Sequence, residues 1–260
     1  MGTSRADGHR EPDDRLGGVL SATLITCHSI LELNARHPEA QRALLDAQVM
    51  HRLVMKGFPG WVEDGARDAR AQMGVLHTSN VDLKNQRLTV VVQSSVPPDW
   101  SHLGKNQLAA EPQIMKVDQS VAIGQRFRFH TVVNPARMSS RHLPRSEREK
   151  PQPERKRLSD TTAEHARQWF AERLQPLGEA AISERGVRRI GADADPTRLV
   201  VRILPKLSNL DKKPGMRVGR AQVRGELTIT DPHVFVNTIV GGLGHAKAYG
   251  CGLILVKRID

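Results

Sequence analysis

The chain has 260 residues, enough for one large domain or two of ordinary size, and 38% of them are hydrophobic, so a real core can form. Lys and Arg number 39 against 28 acids, a formal charge of +11 that points to a polyanionic partner, usually nucleic acid, ahead of mere solubility. No apolar run approaches the roughly 18 residues of a membrane span, and aromatic residues make up only 3%, which argues against base-stacking platforms and for contacts with phosphates and with shape. The polar start, Met1 to Arg15, has no apolar core of a secretory signal. Residues 1–17 read as a disordered extension of a cytoplasmic protein. Cys27 and Cys251 lie far apart, match no metal spacing and read as reduced thiols.

Val19 to Cys27 reads as a strand behind Gly17-Gly18. Pro38 opens a helix that runs to about Lys56, with Leu44, Ala47, Met50 and Val54 as its apolar stripe and Gly57 and Pro59 as its stop. A glycine- and charge-rich loop follows from Gly57 to Gly74. Met73 to Ser79 and Arg87 to Ser95 read as strands, Pro97-Pro98-Asp99-Trp100 as a break followed by a short helical turn, and Ile114 to Val117 as a short final strand. That order is β-α-β-β-(α)-β, the ferredoxin-like pattern.

The second half repeats the order. Gln125 to Val133 alternates apolar and polar side chains and ends at Asn134-Pro135. Thr161 to Leu174 is a helix with a capping box, Thr161 or Thr162 with Glu164 near its third position. Strands at Arg198 to Leu204 and Val218 to Thr230, a helix from Asp231-Pro232 to about Val240, and a last strand at Leu253 to Lys257 complete it. The expected fold class is α+β, with two tandem ferredoxin-like βαββαβ domains over residues 18–118 and 119–260.

Two segments are basic. Arg137 to Arg157 carries Arg141, Arg145, Arg155, Lys156 and Arg157 with three prolines and almost no apolar residue. Free in solution such a segment is a solvated loop, and the same composition orders on an RNA backbone. Lys206 to Arg224 reads as a hairpin with Lys213 near its tip and Arg217 and Arg220 behind it.

The terminal segment holds Gly242, Gly244, Gly250 and Gly252 around His245 and Lys247, a composition that exposes backbone N–H groups to a phosphate. A dinucleotide fold needs a helix, a strand and an acid about 20 residues beyond its glycines, and only eight residues follow Gly252. A P-loop fails for want of Gly-Lys-Ser/Thr. No nucleophile elbow, His-x-x-x-His or cysteine pair offers a protein nucleophile or metal ligands, so neither a metal nor a cofactor is expected. His51 stands out among eleven histidines because Gln48, three residues earlier, shares its helix face and Lys56 lies near the helix end. Alone it reads as a histidine at the edge of the core. Beside a cation, an imidazole can move protons at neutral pH for phosphoryl chemistry.

Several motifs together resemble the CasE (Cse3) family, the CRISPR-associated precursor-crRNA endoribonucleases of type I-E Cascade. They are the His51 helix with Phe58-Pro59, Val90-Val91-Val92-Gln93-Ser94 with Pro98-Asp99-Trp100, and Arg126-Phe127-Arg128-Phe129 leading to Asn134-Pro135. The helix around Ala163 to Leu174, Gly225-Glu226-Leu227-Thr228-Ile229 with Asp231-Pro232, and Gly242-x-Gly244-x-x-Lys247-Ala248-x-Gly250-x-Gly252-Leu253 complete the set.

The resemblance implies a metal-independent endoribonuclease that binds the CRISPR repeat hairpin and cuts at the 3′ base of the stem. The RNA's own 2′-hydroxyl attacks, leaving 5′-hydroxyl and 2′,3′-cyclic phosphate ends. The enzyme then stays on the hairpin as a Cascade subunit, beside the backbone subunit at the crRNA 3′ end. His51 becomes the general acid or base and Lys56 the candidate for charge stabilisation. Many family members carry a tyrosine three residues before the histidine, where this chain has Gln48; an amide can hydrogen-bond but not transfer a proton as a phenol does. Gly242 to Gly252 would lie against phosphates, with Lys247 the direct contact, and the two basic segments would grip the A-form stem. The alternatives are an RNA-binding subunit that no longer cleaves, which Gln48 permits, and, more distantly, a nucleotide-binding enzyme built on the glycine segment, which the missing βαβ context disfavours.

Overall fold

The computed structural model describes residues 21–63, 66–139, 146, 156–158, 162–208 and 217–259. The expected extension at residues 1–17 lies outside them. The first half is an antiparallel sheet of β1 (Ser21–Asn34), β2 (Leu76–Asp82), β3 (Arg87–Ser94) and β4 (Leu108–Ala122), in the order β2-β3-β1-β4. β1 is longer than the nine residues expected because it pairs on both sides, with β3 from Cys27 to Asn34 and with β4 from Ser21 to Leu33. β4 is likewise a 15-residue strand rather than a short one. One face of this sheet is covered by α1 (Pro38–Leu45) and α2 (Ala47–Met55), whose Ala40, Ala43, Met50, Leu53 and Val54 are buried against Leu31, Leu33, Val90 and Val92.

The single helix expected over residues 38–56 is two helices. Asp46 leaves the helical region (φ −125°, ψ 115°), and its carboxylate accepts hydrogen bonds from the backbone N–H of Gln48 at 2.7 Å and Val49 at 3.4 Å. A buried aspartate that caps a new helix satisfies donors that would otherwise lack partners. The short turn expected after Pro97-Pro98 is a single turn closed by the Leu103 N–H donating to the Trp100 carbonyl at 3.0 Å. There Trp100 and Leu103 drop into the core under the sheet, and the indole N–H donates to Ser29 Oγ at 3.0 Å.

The second sheet runs β11 (Ile254–Ile259), β5 (Arg126–Val133), β10 (Arg217–Ile229) and β8 (Ala192–Asp193), with β9 (Val200–Ser208) also paired to β10. Its order is that of a ferredoxin-like sheet whose second strand is split between β8 and β9. A short ribbon of β6 (Arg137–Ser139) and β7 (Lys156–Leu158) follows β5. α4 (Ala163–Ala171) and α5 (Pro232–Gly241) pack on one face, burying Phe170, Phe235 and Ile239 against Phe127, Phe129 and Leu227. Asp231 caps α5 through the Val234 N–H at 3.0 Å. Thr162 caps α4 through the His165 N–H at 3.1 Å, while Glu164 pairs with Arg167 at 2.9 Å and so does not close the expected capping box.

The halves interlock. β4 runs on to Ala122, and Leu24 and Val121 belong to the core of the second half. α5 also lies against β1 and β4. The buried amide of Gln93 on β3 donates to the Ile239 carbonyl of α5 at 2.8 Å. The first sheet thus has its own helices on one face and a borrowed helix on the other.

Candidate functional site

His51 sits on α2, one turn after the Asp46 break, with Gln48 one turn before it; both are half-buried. The break sets the start of α2. It also fixes α2 to the second half, because Asp46 pairs with Ser208 at the end of β9. The 3-10 turn Lys247–Tyr249 of the glycine segment packs on α2 and on β2. The helix that carries His51 and the glycine segment, far apart in the sequence, are therefore neighbours in the fold.

Two neighbours were missed in the sequence. His77 on β2 is 2% exposed, and its Nε2 lies 3.4 Å from where a Cβ on Gly250 would stand. Arg70 belongs to α3 (Ala69–Gln72), a single turn inside the stretch expected to be a loop. Its guanidinium is half-buried and donates to the Val75 carbonyl at 2.8 Å. Charge interactions link Arg70 to His51, His77 and Lys247, so these side chains share one site.

The electrostatics follow from that crowding. Burial, then Arg70 and then Arg52 push His51 below its ordinary value of 6.5. Burial, His51 and Arg70 push His77 down to about 3, so it is a neutral imidazole at any physiological pH. Burial, Arg70 and Arg188 lower Lys247. A half-buried patch holding Arg70, Lys247 and two uncharged imidazoles presents positive potential with a proton acceptor in it. That is a setting for a phosphate and for a group that must give up a proton. Among the described residues no group of three or more His, Cys, Asp or Glu side chains gathers as metal ligands.

Lys56 is placed differently from the expectation. Its ammonium is 3.4 Å from Glu39 on α1 and its side chain is 59% exposed. Lys56 caps the far end of α2 and is held there by a carboxylate, while Arg70 is the cation whose charge acts on His51 and His77.

The glycine segment is chiefly packing. The Gly242 N–H donates to the Thr238 carbonyl at 2.8 Å and the Gly252 N–H to the Val132 carbonyl at 2.7 Å, so neither amide is offered to a ligand. Gly252 has φ +91°, and a Cβ there would lie 2.7 Å from the Leu243 carbonyl oxygen. Only glycine fits that crossing of loop and strand. A Cβ on Gly244 would meet the Trp169 ring at 2.9 Å. Lys247 donates to the Gly241 carbonyl at the C-terminus of α5, at 2.7 Å, which directs its charge to the helix end beside the site. His245 is exposed.

The basic segments are only partly in view. Arg141, Arg145, Arg155 and Lys213 lie outside the described residues. Lys156 and Arg157 are on β7, in register with Ser139 and Met138. Arg217 is exposed at the start of β10. Arg220 is half-buried and donates twice to the Pro205 carbonyl, at 2.9 and 3.2 Å, which pins the β9–β10 ribbon.

Comparison with known proteins gives four findings. The sequence profile of a family described as CRISPR associated protein matches residues 28–258. The CRISPR-associated endoribonuclease Cse3 of Thermus thermophilus is 28% identical over 234 residues, covering 87% of this chain and 97% of that protein. Among solved structures, CRISPR endoribonuclease Cse3 bound to a 19-nt RNA superposes with a TM-score of 0.61 at 26% identity, over 91% of this chain and all of that one. Cas6e from Escherichia coli superposes with a TM-score of 0.58 over 90% of this chain and all of that one; at 17% identity it speaks for the fold alone.

Proposed function

The chain belongs to the family of CRISPR-associated proteins, and from that membership we propose that it is a precursor-crRNA endoribonuclease whose site is the seam between α2, α3, β2 and the glycine segment. The observation that carries this reading is the packing of the Lys247 turn on α2, the helix of His51, with Arg70 acting on both His51 and Lys247, in a chain that resembles an endoribonuclease along nearly its full length.

The nucleophile comes from the substrate. Bound against the seam, the RNA places a 2′-oxygen in line with the adjacent phosphorus. His51, uncharged at neutral pH because its pKa is lowered, takes the proton from that hydroxyl. A P–O bond forms to the 2′-oxygen and the bond to the 5′-oxygen breaks. The products are a 2′,3′-cyclic phosphate and, once the departing oxygen is protonated, a 5′-hydroxyl. Arg70 and Lys247 stabilise the charge that builds on the phosphoryl oxygens. The Gln48 amide, on the same helix face as His51, orients the hydroxyl or the phosphate by hydrogen bonding. The repeat hairpin is held by the basic ribbon and the face around Lys247 and His245. The cut RNA stays bound and carries the protein into Cascade, beside the backbone subunit, in the cytoplasm.

Cleavage of a repeat-hairpin RNA in EDTA tests this reading. The intact protein should cut and leave a cyclic phosphate, and His51→Ala should lose on the order of 10²–10⁴-fold in rate while binding the hairpin unchanged. Loss of cutting in EDTA would remove the metal-independent mechanism. Hairpin binding without any cutting by the intact protein would establish instead the non-cleaving subunit that Gln48 permits.

A further inference from the structure

The face of the second sheet opposite α4 and α5 carries no helix among the described residues. Register places its side chains in rows. Across β9, β10, β5 and β11, one row holds Val200, Arg224, His130 and Leu255. The next holds Glu226, Arg128 and Lys257, and the last holds Asp193, Thr228, Arg126 and Ile259. Arg126, Arg128, Arg224 and Arg198, from the turn before β9, line a groove of about 390 Å³.

Four arginines and three carboxylates, Asp193, Asp195 and Glu226, line this groove, with Lys257 beside it, so its balance is positive by a small margin. Glu226 is taken up by Arg126 at 2.8 Å. Asp195 accepts from the Thr197 N–H and hydroxyl at 2.9 and 2.6 Å, and Asp193 from the Ala194 N–H at 2.9 Å. Arg128, Arg224 and Lys257 are exposed and have no ion-pair partner among the described residues. Beneath Arg224, the buried Nε2 of His130 has no hydrogen-bond partner there either. The rows contain no Phe, Tyr or Trp, so a ligand would be held through its charge rather than by stacking.

The track begins at the glycine segment. Val132, one row beyond His130 on the same face, is packed beneath Ala246 and Tyr249. From Val132 to Arg126 is six residues of β5, about 20 Å of strand. A chain leaving the seam over this face meets Arg224, then Arg128 with Lys257, then Arg126 with Arg198.

We propose that this helix-free face is a track for single-stranded RNA that adjoins the cleavage point, gripped by its phosphates without regard to sequence. The proposal rests on the endoribonuclease reading of the His51 site. Apart from Arg224, at the edge of the Lys206 to Arg224 segment, the residues of the track belong neither to the β6–β7 ribbon, nor to the β9–β10 hairpin, nor to the glycine segment. Guanidinium and ammonium groups spaced along an extended groove match the regular negative charge of a single strand.

The test compares two RNAs, the repeat hairpin alone and the same hairpin with single-stranded extensions on one or both sides, on the full chain and on Arg128→Ala/Lys257→Ala. Both positions are exposed and lie outside the segments assigned to the hairpin grip, and unchanged binding of the bare hairpin reports that the double variant is folded. The intact protein should bind the extended RNA more tightly. The variant should lose about fivefold of that affinity, and its salt slope should fall by about 1.4, two phosphates at roughly 0.7 each. Replacing the extension by another sequence should leave these effects in place. If extensions add nothing to binding by a protein that holds and cuts the hairpin, the track is wrong while the endoribonuclease reading stands. If the variant weakens hairpin and extended RNA equally, the face is part of the hairpin grip and the proposal fails. It fails also if RNA binding is untouched and only Cascade assembly suffers, which would assign the face to a protein partner. A wild-type protein that binds neither RNA overturns the endoribonuclease reading itself.

Discussion

The two sheets share a strand order and differ in what covers them. The first is covered on both faces, by its own α1 and α2 and by α5 of the second half. Its polar side chains are consequently trapped in a seam: His77 is 2% exposed and Gln93 is fully buried. Among the described residues the second carries helices on one face only; the glycine segment covers the other at Val132, and the rest of that face carries arginines in solvent. One architecture thus yields two electrostatic regimes. In the seam, low dielectric shifts pKa values and makes each charge count for chemistry. On the open face, water screens the same charges, so they serve attraction rather than catalysis.

Arg70 is the sharpest test of that contrast. Removing a preorganised cation from a dehydrated site typically costs 10²–10³ in rate. Arg70→Ala should therefore slow single-turnover cleavage by about that factor, whereas Arg128→Ala on the open face should leave the cleavage step within about threefold. There is a second readout. Arg70 depresses His51, so the rising limb of kcat/KM against pH, set by deprotonation of His51 in the free enzyme, lies below 6.5 in the intact protein and should move up in Arg70→Ala. A slower variant with an unmoved limb would make Arg70 a structural residue of α3.

The glycine segment separates grip from packing. Gly252→Ala places a Cβ against the Leu243 carbonyl at a φ of +91°. It should destabilise the protein by about 2–3 kcal/mol, a Tm drop on the order of 5–10 °C, with hairpin affinity per folded molecule held within about threefold. An unchanged Tm with a weaker, less salt-dependent affinity would mean that this glycine serves the phosphate and not the fold.

His77 offers an effect on stability alone. Its pKa is about 3 in the folded protein against an ordinary 6.5. A group whose folded pKa is depressed contributes stability above its unfolded pKa and loses it as the pH falls toward the folded one. Between pH 7.5 and pH 5 the loss from His77 should be about 2 kcal/mol. Urea unfolding at the two pH values would show it, and His77→Leu should remove that part of the difference. If the variant keeps the full pH dependence, His77 is not the buried neutral imidazole of the seam.

What the sequence revealed and what it hid have physical causes. Strand order, both helices flanked by Asp-Pro or Thr caps, and the meeting of the His51 helix with the glycine segment were legible because each has a local pattern or a family motif. The break at Asp46 was hidden by an unbroken apolar stripe through Ala47 and Met50; only the contact with Ser208 and the cap on Gln48 make it worthwhile. Arg70 was hidden because a four-residue helix in a charged loop has no periodicity to read. His77 carried a faint sign, since a histidine in an apolar run on a strand must either face a partner or be neutral. The glycines suggested a phosphate cradle, yet two of their amides bond to the protein, because sequence composition cannot tell an open nest from a tight crossing.

Lys56 gives the smallest effect and closes the contrast. Sequence spacing put it near His51, at the end of the same helix. In the fold it meets Glu39 across α1 and α2, 3.4 Å apart, with the lysine side chain 59% exposed. Exposed pairs of this kind contribute about 0–1 kcal/mol and weaken with salt. Lys56→Ala should accordingly shift stability by less than about 1 kcal/mol and cleavage by less than about threefold. Glu39→Gln should reproduce the stability effect, and the double variant should add little to either, since both single changes break one pair. A cleavage loss in Lys56→Ala as large as that in Arg70→Ala, with Glu39→Gln silent, would show that the lysine swings off Glu39 to meet RNA, and the division between seam and surface would have to be redrawn around it.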